Sequence, residues 1–181
     1  MDHSLPVIEI HLNQVEQTLE RKIAFLDINR DLYMTTVHRT EKNNKVATIC
    51  DSFSWHDKFD VLAALADSKI TTFFYPDVSF IDNSLFQLTN VSKEVPELGR
   101  LPQIISYCET QVTVRRRDGA VLTVANSPYP TILLDFCEKG KWEKATKLCR
   151  FVKEHILWSI LAAASIKHRK LESAETAFAA I

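Results

Sequence analysis

The chain has 181 residues, of which 46% are hydrophobic and 25% charged, as in an ordinary soluble globular protein. Its 22 basic and 23 acidic residues give a formal net charge of -1, which argues against general electrostatic binding to nucleic acid or to an anionic membrane. No apolar run approaches the roughly 18 residues of a membrane span, so no integral membrane segment is predicted, and the first residues lack the pattern of a signal peptide.

The first part of the chain predicts β-strands joined by tight turns. Val7–Leu12 alternates apolar and polar residues, as a half-buried strand does. Residues 22–28 and 31–37 flank the turn residues Asn29-Arg30 and so predict a hairpin. Residues 45–50 predict a further strand.

Three more hairpins are predicted along the chain. Turn residues Asp67-Ser68 separate two apolar runs, and Glu109-Thr110 separates two others. The dipeptide Asp118-Gly119 predicts a two-residue turn in which both central residues have positive φ. The less regular segment 76–102 predicts one strand and an exposed loop.

The spacing of these turns indicates a repeat. Asn29, Asp67 and Glu109 recur every ~40 residues, which is typical of four-stranded propeller blades. The interpretation is a partial WD40-like β-propeller of about three degenerate blades over residues 1–126. Because propellers have more blades than that, the piece is expected to be the last part of a larger propeller. An immunoglobulin-like sandwich is the alternative.

From Ser127 onward the period becomes helical. Pro130 can begin a helix, Gly140 can end it, and three more helices follow, the last from Leu171. The run starting at Trp142 is repeated ~30 residues later, which predicts a tetratricopeptide-like α-solenoid beginning over residues 127–181. The fold class is therefore mixed, β then α, and the solenoid too is expected to be cut off at its outer end.

Aromatic residues in both parts are predicted to serve packing. Trp142, Phe151 and Trp158 are expected between the helices, and Trp55 between blades. The four cysteines, which form no Cys-x-x-Cys pair, are expected to be buried small hydrophobes in a reducing compartment.

No motif for catalysis, cofactor binding or metal binding emerges. The three glycines, Gly99, Gly119 and Gly140, are too far apart for a phosphate-binding loop. His56 beside Asp57 is interpreted as a surface or loop histidine. No enzyme activity, cofactor or metal is therefore predicted.

The sharpest charge cluster is Arg115-Arg116-Arg117, the one candidate protein-interaction site. In a strand, Arg115 and Arg117 would share a face, and they could bind an acidic partner peptide or make weak RNA contacts. The favoured alternative is a solvated strand edge whose charges discourage edge-to-edge pairing.

Three stretches carry a resemblance to a known family: residues 22–37, the tetrapeptide Trp55-His56-Asp57-Lys58, and the run from Phe136 through Trp142 to Trp158. They resemble WD-repeat subunits of intraflagellar transport complex B and related coat-type proteins. The resemblance implies the end of a second propeller followed by the start of a solenoid. No Gly-His or Trp-Asp blade signature is present, so the blades would be degenerate.

The resemblance also implies a function. It is that of a non-enzymatic scaffold acting by protein–protein interaction in cilium assembly and ciliary transport, with other complex B subunits as partners. It implies a location in the cytoplasm and the cilium, including basal body and axoneme. Homo-oligomerisation is left open, and no nucleic acid is expected. The alternative is a vesicle-coat or trafficking adaptor of the same plan.

Overall fold

The computed structural model describes residues 3–15, 21–37 and 43–181. The chain separates into two compact units, and each is made of two stretches of sequence. The first unit comprises Met1–Thr72 and Val91–Asn126, and the second comprises Phe73–Asn90 and Ser127–Ile181. The predicted domain division at residue 126 stays a prediction, whereas the compact units place Phe73–Asn90 with the helices.

The first unit contains three antiparallel sheets. In each of them, strands that are consecutive in the chain lie side by side. The first sheet has the order β1-β2-β3-β4: β1 (Val7–Leu12), β2 (Lys22–Asp27), β3 (Leu32–Thr36) and β4 (Asn44–Ala47). The second has the order β5-β6-β7-β8: β5 (Ser52–Trp55), β6 (Leu62–Ala66), β7 (Lys69–Phe73) and β8 (Asn90–Glu94). The third has the order β11-β10-β9: β9 (Gln103–Cys108), β10 (Gln111–Arg115) and β11 (Val121–Ala125).

The tight turns follow the residues that tolerate positive φ. Asp67 and Ser68 have φ of 48° and 58°, so the hairpin between β6 and β7 has positive φ at both central residues. In the last hairpin only Gly119 has positive φ, at 87°. Its amide donates to the carbonyl of Arg116 at 3.0 Å, so Arg117 and Asp118 are the central residues of the turn. The predicted two-residue Asp118-Gly119 turn is therefore wrong.

The repeat is less regular than the spacing of the turns suggested. The turns at Asn29 and Asp67 join the second and third strands of their sheets. The turn at Glu109 joins the first and second strands of the third sheet, so it is not at an equivalent place. Strand β5 was not predicted: three of its four residues are buried, so it lacks the alternation of a half-buried strand.

The segment 76–102, predicted as one strand and an exposed loop, begins instead with two short helices. A 3₁₀ helix (Pro76–Phe80) is followed by α1 (Asn83–Leu88), and Asp82 caps α1 by accepting the amide of Ser84 at 2.8 Å. Phe86 is 2% exposed and stacks on Phe73 with ring centroids 5.5 Å apart. The strand of this region, β8, lies on the polar stretch around Ser92, where a loop is expected, and not on the apolar stretch before it.

The second unit contains the four predicted helices, which are confirmed. They are α2 (Tyr129–Glu138), α3 (Trp142–Val152), α4 (His155–Lys167) and α5 (Leu171–Phe178). Gly140, with φ of 68°, lies in the connection between α2 and α3. Every residue from Leu157 to Ser165 of α4 is buried, so α4 is the core helix, and α1, α2, α3 and α5 pack against it. None of the helices in the described part of the chain has the length and apolar character needed to cross a bilayer.

Three of the four cysteines behave as predicted. Cys50, Cys137 and Cys149 are buried, and burial raises the pKa of each thiol to about 12. Cys108 is exposed. It follows the buried Tyr107 in β9, and successive side chains of a strand point to opposite faces. The prediction of a buried thiol is wrong at Cys108.

Two of the aromatic residues predicted to serve packing are buried, and one is exposed. Trp55 is 8% exposed, and its Nε1 donates to the carbonyl of His11 at 3.2 Å, which joins the second sheet to the first. Trp158 is also buried, as predicted. Phe151 is 80% exposed, so its predicted role in packing between helices is wrong. Trp142 is half-buried and lies against His168, with ring centroids 5.4 Å apart.

Candidate protein-interaction surface

A buried ion pair joins the first sheet to the second. Lys22 Nζ lies 2.7 Å from Asp60 Oδ2, and Asn13 Nδ2 donates to Asp60 Oδ1 at 2.6 Å. The Lys22 side chain is 1% exposed and that of Asp60 is 11% exposed. Both carboxylate oxygens thus have donors, the condition under which a buried charge is tolerated. These contacts hold the connection between β5 and β6 against Lys22 of β2 and against Asn13, just after β1.

A buried histidine joins the second sheet to the third. His56 Nε2 lies 2.8 Å from the carbonyl of Glu109, and the amides of Lys58 and Phe59 donate to Nδ1 at 2.9 and 3.2 Å. Nδ1 therefore accepts and Nε2 carries the proton, which is the neutral ring. Burial lowers the pKa of His56, consistent with that state. The histidine lies in a loop, as predicted, but at 2% exposure it is not on the surface.

These contacts join the first sheet to the second and the second sheet to the third. The connections after β1, β5 and β9 are linked in turn by Asp60 and His56. Both carboxylate oxygens of Asp60 and both ring nitrogens of His56 have hydrogen-bond partners within the protein. Within the described residues there is no group of three or more His, Cys, Asp or Glu side chains that could hold a metal ion.

The structure places the predicted arginine site at the end of one hairpin. Arg115 is the last residue of β10, and its Nη2 donates to Gln103 Oε1 on β9 at 2.7 Å. Since β10 is the middle strand of its sheet, Arg115 does not lie on a sheet edge. The edge-protection interpretation therefore does not describe it.

The other two arginines lie in the turn. Arg116 Nη2 lies 2.8 Å from Asp118 Oδ2, and the Arg116 amide donates to the carbonyl of Ala120 at 2.8 Å. Arg117 is exposed in the turn itself. The expected alternation along a strand, with Arg115 and Arg117 on one face, is wrong because the strand ends at Arg115. Of these three arginines, only Arg117 presents a guanidinium without an ion pair or hydrogen bond to another described residue.

The second unit carries a groove of about 330 Å³ between α3 and α5. Trp142, Thr146 and Arg150 line it from α3, and Ser173 and Thr176 line it from α5. Its walls combine an indole with hydroxyl groups, two cations (Lys147 and Arg150) and two carboxylates (Glu143 and Glu172). Such a lining suits a polar polypeptide segment better than an apolar small molecule.

A basic row on α3 was missed in the sequence analysis. A cation recurs at every third position along this helix and its two flanks, and every one of them is exposed: Lys141, Lys144, Lys147, Arg150 and Lys153. Residues three apart are neighbours on a helix surface, so the row is continuous. The three-residue spacing is visible in the sequence and could have identified it.

The sheets of the first unit and the helical hairpins of the second define a β-propeller piece followed by a helical repeat segment. A family model described as the IFT80 second β-propeller matches residues 1–129, and the chain belongs to this family. The predicted fold class, propeller-like blades followed by helices, and the predicted family resemblance are thereby confirmed, and the immunoglobulin-like alternative is not supported.

Two curated relatives match the whole chain. The intraflagellar transport protein 80 homolog of Rattus norvegicus is 39% identical over the full chain, and that of Mus musculus is 38% identical. In both cases the chain spans 24% of the relative's length. The similarity therefore covers about a quarter of the length of each relative.

Proposed function

We propose that the chain is part of a non-enzymatic scaffold subunit of intraflagellar transport complex B. It would act by protein–protein interaction in cilium assembly and ciliary transport. The observation that carries the proposal is the 39% identity, over the whole chain, to the rat intraflagellar transport protein 80 homolog. The structure supports it, because Asp60 and His56, which join the sheets, are engaged in structural hydrogen bonds.

The proposed location is the cytoplasm and the cilium, including basal body and axoneme, and the proposed partners are other complex B subunits. The test is purification of the endogenously tagged protein that carries this chain, with imaging of the same tag in ciliated cells. Co-purification of complex B subunits and signal along the axoneme are expected. Signal on Golgi membranes with coat proteins recovered instead would overturn the proposal in favour of a vesicle-coat adaptor.

We also propose that residues 1–126 form about three degenerate blades of a partial propeller, and that 127–181 begin the solenoid. The last strand ends at Ala125 and the family match ends at residue 129, which supports this division. The test is native-state hydrogen exchange in mild denaturant. Protection of β9–β11 should be lost together with that of β2 and β3, and separately from that of α2–α5. Joint loss across all elements would contradict two domains.

Arg115, Arg116 and Arg117 lie at the turn between β10 and β11, which we call the arginine hairpin. This hairpin is proposed as one contact surface for an acidic partner segment. Arg117 supports this, because its guanidinium is exposed and uncommitted, whereas Arg115 and Arg116 are held by Gln103 and Asp118. Arg117→Glu should weaken recovery of complex B subunits, whereas Lys58→Glu, an equal charge change on another exposed residue, should not. Equal recovery with both variants would remove the hairpin from the interface.

A further inference from the structure

The positive charges of the basic row on α3 are not neutralised by ion pairs with described residues. Lys141, Lys144, Lys147, Arg150 and Lys153 make no ion pair with any described residue, and Glu143 is the one acidic residue among them on the helix surface. By contrast, Lys139 just before the row pairs with Asp135 at 2.6 Å. The surface therefore keeps a concentrated positive charge although the whole chain has a formal net charge of -1.

The stability of α3 does not account for this row. Cations are favourable in the last turn of a helix and unfavourable in the first, because of the helix dipole. Arg150 lies in the last turn, but Lys141 is the N-cap residue and Lys144 lies in the first turn. Folding alone would favour acidic residues at those two positions.

An aromatic side chain stands within the row. Phe151 is 80% exposed, and it lies one helical turn beyond Lys147 on the same face. Lys144 is the next neighbour along that face at the three-residue spacing. An exposed phenylalanine beside Lys144 and Lys147 offers an apolar contact together with positive charge.

A shallow groove lies beside the row, between α3 and α5. Lys147 and Arg150 belong to both features, since they also line the groove between α3 and α5. Two carboxylates line it as well, Glu143 from α3 and Glu172 from α5. A flat anionic membrane would meet both carboxylates and leave the groove unfilled, whereas a chain segment can direct its own carboxylates to Lys147 and Arg150.

We propose that the solvent face of α3 binds an acidic amphipathic segment of a partner protein. Carboxylates of the segment pair with Lys144, Lys147 and Arg150, and one of its apolar side chains covers Phe151. This inference rests on the proposed scaffold function and specifies the chemistry of one partner. It is independent of the arginine hairpin, which lies in the other compact unit.

The test uses the whole 181-residue chain and a labelled helical peptide of roughly 20 residues. The peptide carries leucines on one face flanked by Glu and Asp, and a second peptide replaces these acids with Lys. Fluorescence anisotropy at increasing salt should show binding of the acidic peptide only, weakening as salt rises. Lys147→Glu with Arg150→Glu, and separately Phe151→Ser, should each weaken it at least about tenfold.

The matched controls make the same types of substitution at exposed residues outside the α3 surface. Arg100→Glu alters an exposed arginine and Ile28→Ser an exposed apolar residue, both in the first unit, and neither should change affinity. Circular dichroism of each variant should match that of the unaltered chain, because all of the altered side chains are exposed.

Four results would overturn the proposal. The first two are unchanged peptide affinity in the α3 variants and equal binding of the Lys peptide. The third is preferential binding to vesicles of phosphatidylcholine with about 30% phosphatidylserine, lost in the same variants, which would indicate a membrane. The fourth is self-association in sedimentation, lost in the same variants without peptide binding, which would indicate a second copy.

The scaffold function is tested separately. If complex B subunits are recovered equally with the full protein and with its Lys147→Glu/Arg150→Glu variant, the α3 surface is not a site for them and the scaffold function still stands. If the peptide binds as expected but no complex B subunit is recovered, the scaffold function fails and the acidic-segment site remains.

Discussion

Lys22 Nζ and Asp60 Oδ2 lie 2.7 Å apart, and this contact joins two sheets whose strands do not pair with each other. The two residues come from the first and second sheets, and both side chains are almost completely withdrawn from solvent. A buried pair of this kind adds little net stability compared with apolar residues, but removal of one partner leaves an uncompensated charge. The contact therefore fixes how the sheets meet more than it drives folding.

The first prediction concerns this pair. Lys22→Ala should lower the free energy of unfolding by about 3–5 kcal/mol, because the buried Asp60 loses the ammonium that lies 2.7 Å from it. Urea denaturation followed by circular dichroism measures it. The matched control is Lys45→Ala, since Lys45 pairs with Asp31 at 2.6 Å but is 44% exposed; there the change should stay below about 1 kcal/mol. Similar losses in the two variants would mean that Lys22 is not buried.

The second prediction concerns pH. Burial is the main cause of the lowered pKa of His56, whose ordinary value is 6.5. The unfolded chain therefore binds a proton at His56 at a higher pH than the folded chain does. The stability contributed by the neutral ring is fully present above pH 6.5 and is lost as the pH falls from there toward the lowered pKa.

Urea denaturation at pH 7.5 and at pH 5.5 tests this prediction. The chain should be less stable at the lower pH, because protonation of Nδ1 opposes the amides of Lys58 and Phe59. His56→Gln should reduce the difference between the two pH values, and His155→Gln, on an exposed residue, should leave it unchanged. A difference that survives in His56→Gln would assign it to another group.

Local pattern was sufficient for part of the fold. Asp67-Ser68 lies between two runs of strand-forming residues, and both residues adopt the positive φ that the turn needs. The helical spacing from Trp142 to Val152 likewise predicted α3. In both cases the information lies within about ten neighbouring residues, as in other short elements.

Burial that depends on distant partners could not be predicted in this way. The sequence pattern does not identify α1, because the helix is short and packs against α4, which lies far along the chain. His56 reads as a surface residue because its partner, the carbonyl of Glu109, is 53 residues away. The basic row on α3 needed only its three-residue spacing, but the groove beside it depends on α5.

The third prediction concerns the thiols. In the native chain only Cys108 should react quickly with Ellman's reagent, and all four cysteines should react in denaturant. Cys50, Cys137 and Cys149 are buried, and their pKa values of about 12 leave almost no thiolate at neutral pH. Cys108→Ser should abolish the fast phase, whereas Cys137→Ser should not. A fast phase that persists in Cys108→Ser would show that a second thiol is accessible.

The fourth prediction concerns the aromatic residues of the helical unit. Trp158→Ala should cost about 3–5 kcal/mol, because that side chain is 9% exposed and lies on the core helix. Trp142→Ala should cost less, about 1–3 kcal/mol, since the indole is half-buried and lies against His168. Phe151→Ala, at 80% exposure, should change stability by less than about 0.5 kcal/mol.

The order of these three losses is the informative result. It can be measured from urea midpoints at constant m-value, because a change in m would indicate an altered denatured state. A large loss for Phe151→Ala would mean that its side chain is covered in solution, and the exposed apolar contact on α3 would then not be available to a partner. A loss for Trp142→Ala equal to that for Trp158→Ala would mean that the groove between α3 and α5 is closed around the indole.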